Sequence, residues 1–139
     1  MKNTPKKVLV LFGSPHKTGH TSNLLKYFLS FFTNCEINLI NAYDKNVNPC
    51  IDCEVCKTAE KCFYDDMNDI DFYLRECDLI IIASPVYNAS FPAPLKAIFD
   101  RMQRYYRAKF NLKIIPPIKK EKKAVILLTH GSSDNSAEK

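Results

Sequence analysis

The chain has 139 residues, 46% of them hydrophobic, with a formal charge of +5. That is room for one domain with a real core, near the low end for a full α/β sandwich. No apolar run approaches the roughly 18 residues of a membrane helix, and the opening MKNTPKK leads into no signal-like apolar segment, so the expectation is a cytoplasmic protein with no membrane partner. The modest charge argues for solubility rather than for nucleic acid. Six cysteines in a cytosolic chain argue for metal or redox chemistry before structural disulfides.

Val8–Phe12 is a continuous apolar run ending at Gly13-Ser14-Pro15, which predicts a strand buried on both faces. A polar loop through Gly19 and His20 follows. Thr21-Ser22-Asn23 read as capping residues for a helix from Leu24, with Leu24, Leu25, Phe28, Phe31 and Phe32 on one apolar face and Asn34 as its stop. Glu36–Ile40 alternates as an outer strand would, and 41–63 reads as a loop. Asp65-Asp66 opens a second helix with Met67, Ile70 and Leu74 at one face; Asp78–Ala83 is a second buried strand, ending at Ser84-Pro85. A third helix begins around Pro94, with Leu95, Ile98, Phe99 and Met102 inward and Arg101, Arg104, Arg107 and Lys109 as its outer face. After Pro116-Pro117 and a solvated 119–123 loop, Ala124–Leu128 predicts a third buried strand, followed by Thr129-His130-Gly131-Ser132-Ser133.

Helices alternating with apolar strands imply a parallel sheet covered on both faces, with ligands bound beyond the carboxyl ends of the strands. The loops at those ends would be 13–23, 84–92 and 129–133. The chain's three glycines, Gly13, Gly19 and Gly131, all fall in them, which points to close backbone approach at that edge. The first loop combines hydroxyls with a helix N-terminus, a natural anion site suited to phosphate; in isolation it would read as an ordinary βα turn.

Cys50, Cys53, Cys56 and Cys62 are spaced C-x2-C-x2-C-x5-C. Four soft ligands so spaced suit an iron–sulfur cluster or tetrahedral zinc; the alternative is metal-free thiols packed at an oligomer interface. Cys35 and Cys77 lack neighbours at ligand spacing, and Cys77 reads as a small core residue.

The stretches GSPHKTGHTSNLL, PCIDCEVCKTAEKC followed by DDM, and DLIIIASPVYNASFPAPLKAIFDR, in that order, resemble the flavodoxin-like NAD(P)H-dependent FMN reductase family, and within it the cysteine-bearing branch that includes the iron–sulfur flavoproteins. The resemblance runs from about Lys7 to Ser133. It implies a doubly wound, three-layer α/β/α fold of strand order 2-1-3-4-5 with FMN at the switch point. The FMN phosphate would lie near Ser14, His16, Thr18, His20, Thr21 and Ser22. The flavin ring would lie against Pro85, Val86, Tyr87 and Asn88, with Gly131 nearby. The residue chemistry agrees: a rigid turn, an aromatic ring and a two-way hydrogen-bonding amide suit a flat heterocycle with N–H and C=O edges. The branch implies a [4Fe–4S] cluster on the four spaced cysteines.

The activity implied is an NAD(P)H oxidoreductase reducing flavin, quinone or another small acceptor, with the chemistry carried by the flavin and no catalytic side chain. Two rivals stand beside it: an FMN and iron–sulfur electron carrier serving a redox protein, and a truncated, non-catalytic flavodoxin-like module. The family fold calls for a fifth strand and a last helix after the Gly131 loop, where only 134–139 remain. The expectation is therefore one domain over 1–139, C-terminally short, with order 2-1-3-4 and strand 4 as an open edge. That edge, and the family's habit of sharing the flavin site between subunits, imply a homo-oligomer.

Overall fold

The computed structural model describes residues 6–131. Strands β1 (Lys6–Phe12), β2 (Cys35–Asn41), β3 (Leu79–Pro85) and β4 (Lys123–Thr129) form one parallel sheet in the order β2-β1-β3-β4. Connecting them are α1 (His20–Leu29), α2 (Ala42–Lys45), α3 (Asn68–Glu76), α4 (Ala93–Arg101) and α5 (Gln103–Phe110), with a 3₁₀ turn at Val55–Lys57. This is the flavodoxin-like order expected for the first four strands.

The apolar run of β1 is explained by its central place. Side chains alternate across a strand, so Leu9 and Leu11 enter a core with Ile70, Leu74, Leu95, Ile98 and Tyr105 from α3, α4 and α5. Val8, Val10 and Phe12 enter the opposite core with Leu25 of α1 and Ile81 and Ala83 of β3. Each fully buried Leu or Ile contributes about 1.5–3 kcal/mol, and both faces of the sheet centre are covered. No helix among the described residues is long and apolar enough to cross a membrane.

Several expectations need correction. α1 begins at His20, not Leu24, so Thr21 and Ser22 are first-turn residues rather than caps, and the N-cap is Gly19. It ends at Leu29, leaving Leu24 and Phe31 of the expected apolar face exposed. The 41–63 stretch is not all loop: Asn41 accepts from Tyr43 N (3.0 Å) and caps α2. The third helix is two helices, α4 and α5, meeting at Met102. Two of its four basic residues are not on an outer face, because Arg101 is 2% and Arg104 8% exposed, whereas Arg107 is half-buried and Lys109 exposed. β4 is not a buried strand: Ile126 is 55% and Leu128 47% exposed, and among the described residues only β3 pairs with it. A strand covered on one edge keeps the apolar composition of its neighbours without their burial, which composition alone does not reveal.

Candidate functional site

The carboxyl ends of β1, β3 and β4 lie side by side, with Phe12 in register with Ala83 and Pro85 with Thr129. The loops leaving them surround a cleft of about 270 Å³. Ser14, His16, Gly19, His20 and Thr21 line it from the first loop and the start of α1; Pro85, Val86 and Tyr87 line it from β3, and Thr129, His130 and Gly131 from beyond β4.

The first loop is shaped by close packing at its root. Gly13 N donates to Ala83 O (2.8 Å). A Cβ at Gly13 would lie 2.5 Å from Leu95 Cδ2 and 3.1 Å from Ser84 Oγ. Gly13 thus admits α4, rather than a ligand, to the strand; among the described residues no glycine has positive φ, and a Cβ at Gly131 would meet nothing within 4 Å. Close approach at this edge is therefore a packing requirement, severe at Gly13 and milder at Gly19, where a Cβ would lie 3.2 Å from His16 Cβ. Ser14 Oγ, buried, accepts from His16 N (3.2 Å) and holds the turn. Thr21 Oγ1 and Thr129 Oγ1 are 2.7 Å apart, joining the first turn of α1 to the end of β4.

The start of α1 is left open toward anions. No side chain caps it, no acidic residue lies in its first turn, and the first intrahelical bond is Asn23 N to Gly19 O. The N–H groups of His20, Thr21 and Ser22 have no partners within the helix, and the helix dipole adds partial positive charge. This donor set suits a phosphate group.

Tyr87 is set by a tight turn. Tyr87 N bonds Ser90 O (2.9 Å) and Ser90 N bonds Tyr87 O (3.0 Å), with Asn88 and Ala89 between them at φ 50° and 57°. Two central residues of positive φ make this a type I′ turn; an alanine there costs about 1–2 kcal/mol, strain of the kind that gathers at binding loops. Val86 N donates to Thr129 O (2.9 Å), fastening the turn's base to β4. α2 brings a second aromatic beside it: the Tyr43 phenol is pushed up by burial first and then by the nearby Tyr87 phenol.

Of the expected flavin-loop residues, Ser14, His16, His20, Thr21, Pro85, Val86, Tyr87 and Gly131 meet at the cleft, whereas Thr18, Ser22 and Asn88 do not line it. Thr18 is exposed, Ser22 is buried in the first turn of α1, and the turn geometry carries Asn88 past the cleft. Gly19, placed at this edge by its loop though not assigned to the cofactor, also lines it, as do Thr129 and His130; the signal for these two was their place beside Gly131 in the same loop. Ser132 and Ser133 lie outside the described residues.

The cysteine segment forms a second region. Cys50 and Cys53 are exposed, and Cys56 and Cys62 half-buried. The Cys56 thiol is pushed up mainly by burial, with Cys62 and Cys53 near enough to add to it. Among the described residues no three ligating side chains are gathered into a shell for a single metal ion. What organises the segment is Arg101. Its Nη1 donates to Asn48 O (2.8 Å), Nη2 to Tyr64 O (3.1 Å) and Nε to Cys62 Sγ (3.2 Å), while Tyr64 lies under the guanidinium at 5.1 Å. Arg101 Nη2 is also 2.9 Å from Asp66 Oδ1. That oxygen receives no well-directed hydrogen bond, so the contact is chiefly ionic. Asp66 Oδ2 accepts from Asn48 N (2.8 Å) and Nδ2 (2.9 Å). Burial works against the Asp66 carboxylate, but the Asn48 and Arg101 contacts outweigh it and hold its pKa below the usual value.

The family model described as NADPH-dependent FMN reductase matches residues 6–137. The chain belongs to that family. Among curated family relatives, an iron–sulfur flavoprotein of Methanocaldococcus jannaschii is 38% identical over 110 residues, covering 77% of this chain and 56% of that protein. One of Methanosarcina thermophila is 34% identical over 110 residues, covering 77% and 58%. This FMN reductase family member thus spans little more than half the length of those relatives. Its fold is shared by the NAD(P)H:quinone oxidoreductase of Methanothermobacter marburgensis, with a TM-score of 0.64 at 14% identity over 96% of this chain and 92% of that one. It is shared too by an FMN-dependent NADH-azoreductase of Bacillus anthracis in complex with FMN, with a TM-score of 0.66 at 15% identity over 96% and 74%.

Proposed function

We propose that this chain is a single FMN-binding domain of an NAD(P)H-dependent oxidoreductase that reduces flavin, quinone or another small acceptor. The observation that carries the reading is the convergence of an open helix N-terminus and the Pro85–Tyr87 turn on one cleft at the strand ends. The residues fit the cofactor. His20, Thr21 and Ser22 N–H groups and the Ser14 side of the first loop would hold its phosphate, with no first-turn carboxylate to oppose it. Pro85, Val86 and Tyr87 would flank its ring, and the Thr21–Thr129 contact would keep the two sides at fixed separation. Bound FMN supplies the hydride and single-electron chemistry; the chain positions it and excludes water from one side.

The test is to load the chain with FMN anaerobically, add NADPH or NADH, and follow flavin absorbance, then add a quinone. Bleaching by nicotinamide and its reversal by quinone support the reading. A loaded chain that neither reductant bleaches contradicts it.

The iron–sulfur relatives, together with four thiols on one segment whose base is gripped by a buried cation, favour a second reading: an iron–sulfur flavoprotein that passes single electrons to a redox protein. The donor set, four thiols on one short segment, suits a [4Fe–4S] cluster. Cys56 and Cys62 would hold it from the half-buried side, and Cys50 and Cys53 would close over it from the exposed side. The exposed apolar face of β4 at Ile126 and Leu128 supports assembly with a further copy of the chain, checked by light scattering of the purified protein.

A further inference from the structure

Resting on the iron–sulfur reading, we infer that Arg101 is a positioning residue that tunes the reduction potential of a cluster held by the cysteine segment, through the N–H it donates to Cys62 Sγ.

Three observations converge on it. Arg101 projects from α4 with its side chain 1% exposed, so its charge is poorly screened by solvent. Its two terminal nitrogens are occupied by Asn48 O and Tyr64 O, one on each side of the cysteines in sequence, which fixes the plane of the guanidinium. The remaining directed donor, Nε, is thereby aimed at Cys62 Sγ at 3.2 Å. An arginine has a rigid fork and no acceptor, so this orientation is held by the backbone contacts and not by the sulfur.

The consequence follows from charge. Adding an electron to a cluster makes its cysteine sulfurs more electron-rich, and hydrogen bonds to those sulfurs together with nearby positive charge favour the reduced form. Arg101 supplies both. Asp66, 2.9 Å from Arg101 Nη2, partly offsets the charge from the other side, so the two residues should move the potential in opposite directions when neutralised.

The experiment reconstitutes the full chain with ferrous iron and sulfide under anaerobic conditions, assays iron and sulfide per chain, and titrates the cluster electrochemically. Unaltered protein is compared with R101Q, R101K and D66N. R101Q is expected to disfavour the reduced cluster about tenfold, lowering the one-electron midpoint by about 59 mV. R101K, which keeps the charge but not the fixed N–H, should fall between, and D66N should raise the midpoint. An unaltered chain that binds FMN yet takes up no iron overturns the cluster reading, and this inference with it. A chain that builds the cluster but whose midpoint is unmoved or raised in R101Q overturns the Arg101 assignment alone. Should R101Q fail to fold, D66N decides: a midpoint that is unchanged or lowered overturns the assignment.

Discussion

The cleft at the strand ends and the cysteine segment are built on different principles. The cleft is made largely of backbone: strand ends in register, a helix start with unpaired N–H groups, and a type I′ turn, joined by several separate contacts such as Ser14 Oγ with His16 N, Val86 N with Thr129 O and Thr21 with Thr129. The cysteine segment has almost no regular structure of its own. Its geometry is imposed from a distance by Arg101, which is 53 residues from Asn48 and 39 from Cys62. A backbone-built site should tolerate loss of many side chains, whereas a site hung on one guanidinium should fail with it.

That difference can be broken by substitution. The largest effect is expected for Arg101→Met. Removing a buried cation leaves two backbone carbonyls without their donor and Asp66 without its counter-charge, a loss of about 3 kcal/mol read as a lower urea midpoint, with faster amide exchange through 48–66 than through β1. A loss below about 1 kcal/mol would mean that the segment holds its own shape. Next is Gly13→Ala, where the new methyl meets Leu95 and Ser84 at 2.5 and 3.1 Å. Overpacking at this depth should cost about 2 kcal/mol, visible in the same urea titration, and a neutral result would show that α4 can withdraw freely.

The third change separates binding from folding. His20→Asp puts a carboxylate in the first turn of α1, where it favours the helix by about 0.3–1 kcal/mol but repels a phosphate. FMN affinity should fall at least about tenfold, about 1.4 kcal/mol, in a protein no less stable. Loss of affinity together with stability would instead indicate general damage.

The smallest effect is in pH. The folded pKa of Asp66 lies below its ordinary 3.8, so its contribution is fully present above that value and is lost as pH falls through the lower folded value. Acid unfolding of the unaltered chain should therefore steepen below about pH 4. D66N should flatten that part of the curve by less than about 1 kcal/mol, because Asp66 is only partly enclosed.

What could be read from the sequence tracks the same division. The burial of Val8–Phe12 and the loops at the strand ends that carry Ser14, His20, Thr21 and Tyr87 follow from local patterning, because apolar periods and turn residues act on their own neighbourhood, whereas the order of the strands came from the family resemblance. The start of α1 was displaced because hydroxyl residues before an apolar helix face look like caps. Here Gly19 takes that role, and Thr21 turns to Thr129 instead. The inward course of Arg101 and Arg104 had no local signal. Their partners, Asp66 for one and Asp71 for the other (2.8 Å), come from other parts of the chain, and an arginine at helical spacing among polar neighbours reads as solvent-facing until those partners are known.

The claim that joins the fold to a function is that the cleft holds FMN by its phosphate. Titrating the purified chain into FMN and following the quenching of flavin fluorescence tests it most directly, with riboflavin as the comparison. The account predicts saturable one-to-one binding of FMN and much weaker binding of riboflavin, which lacks the phosphate. A folded chain that binds neither, or binds both equally, would contradict it.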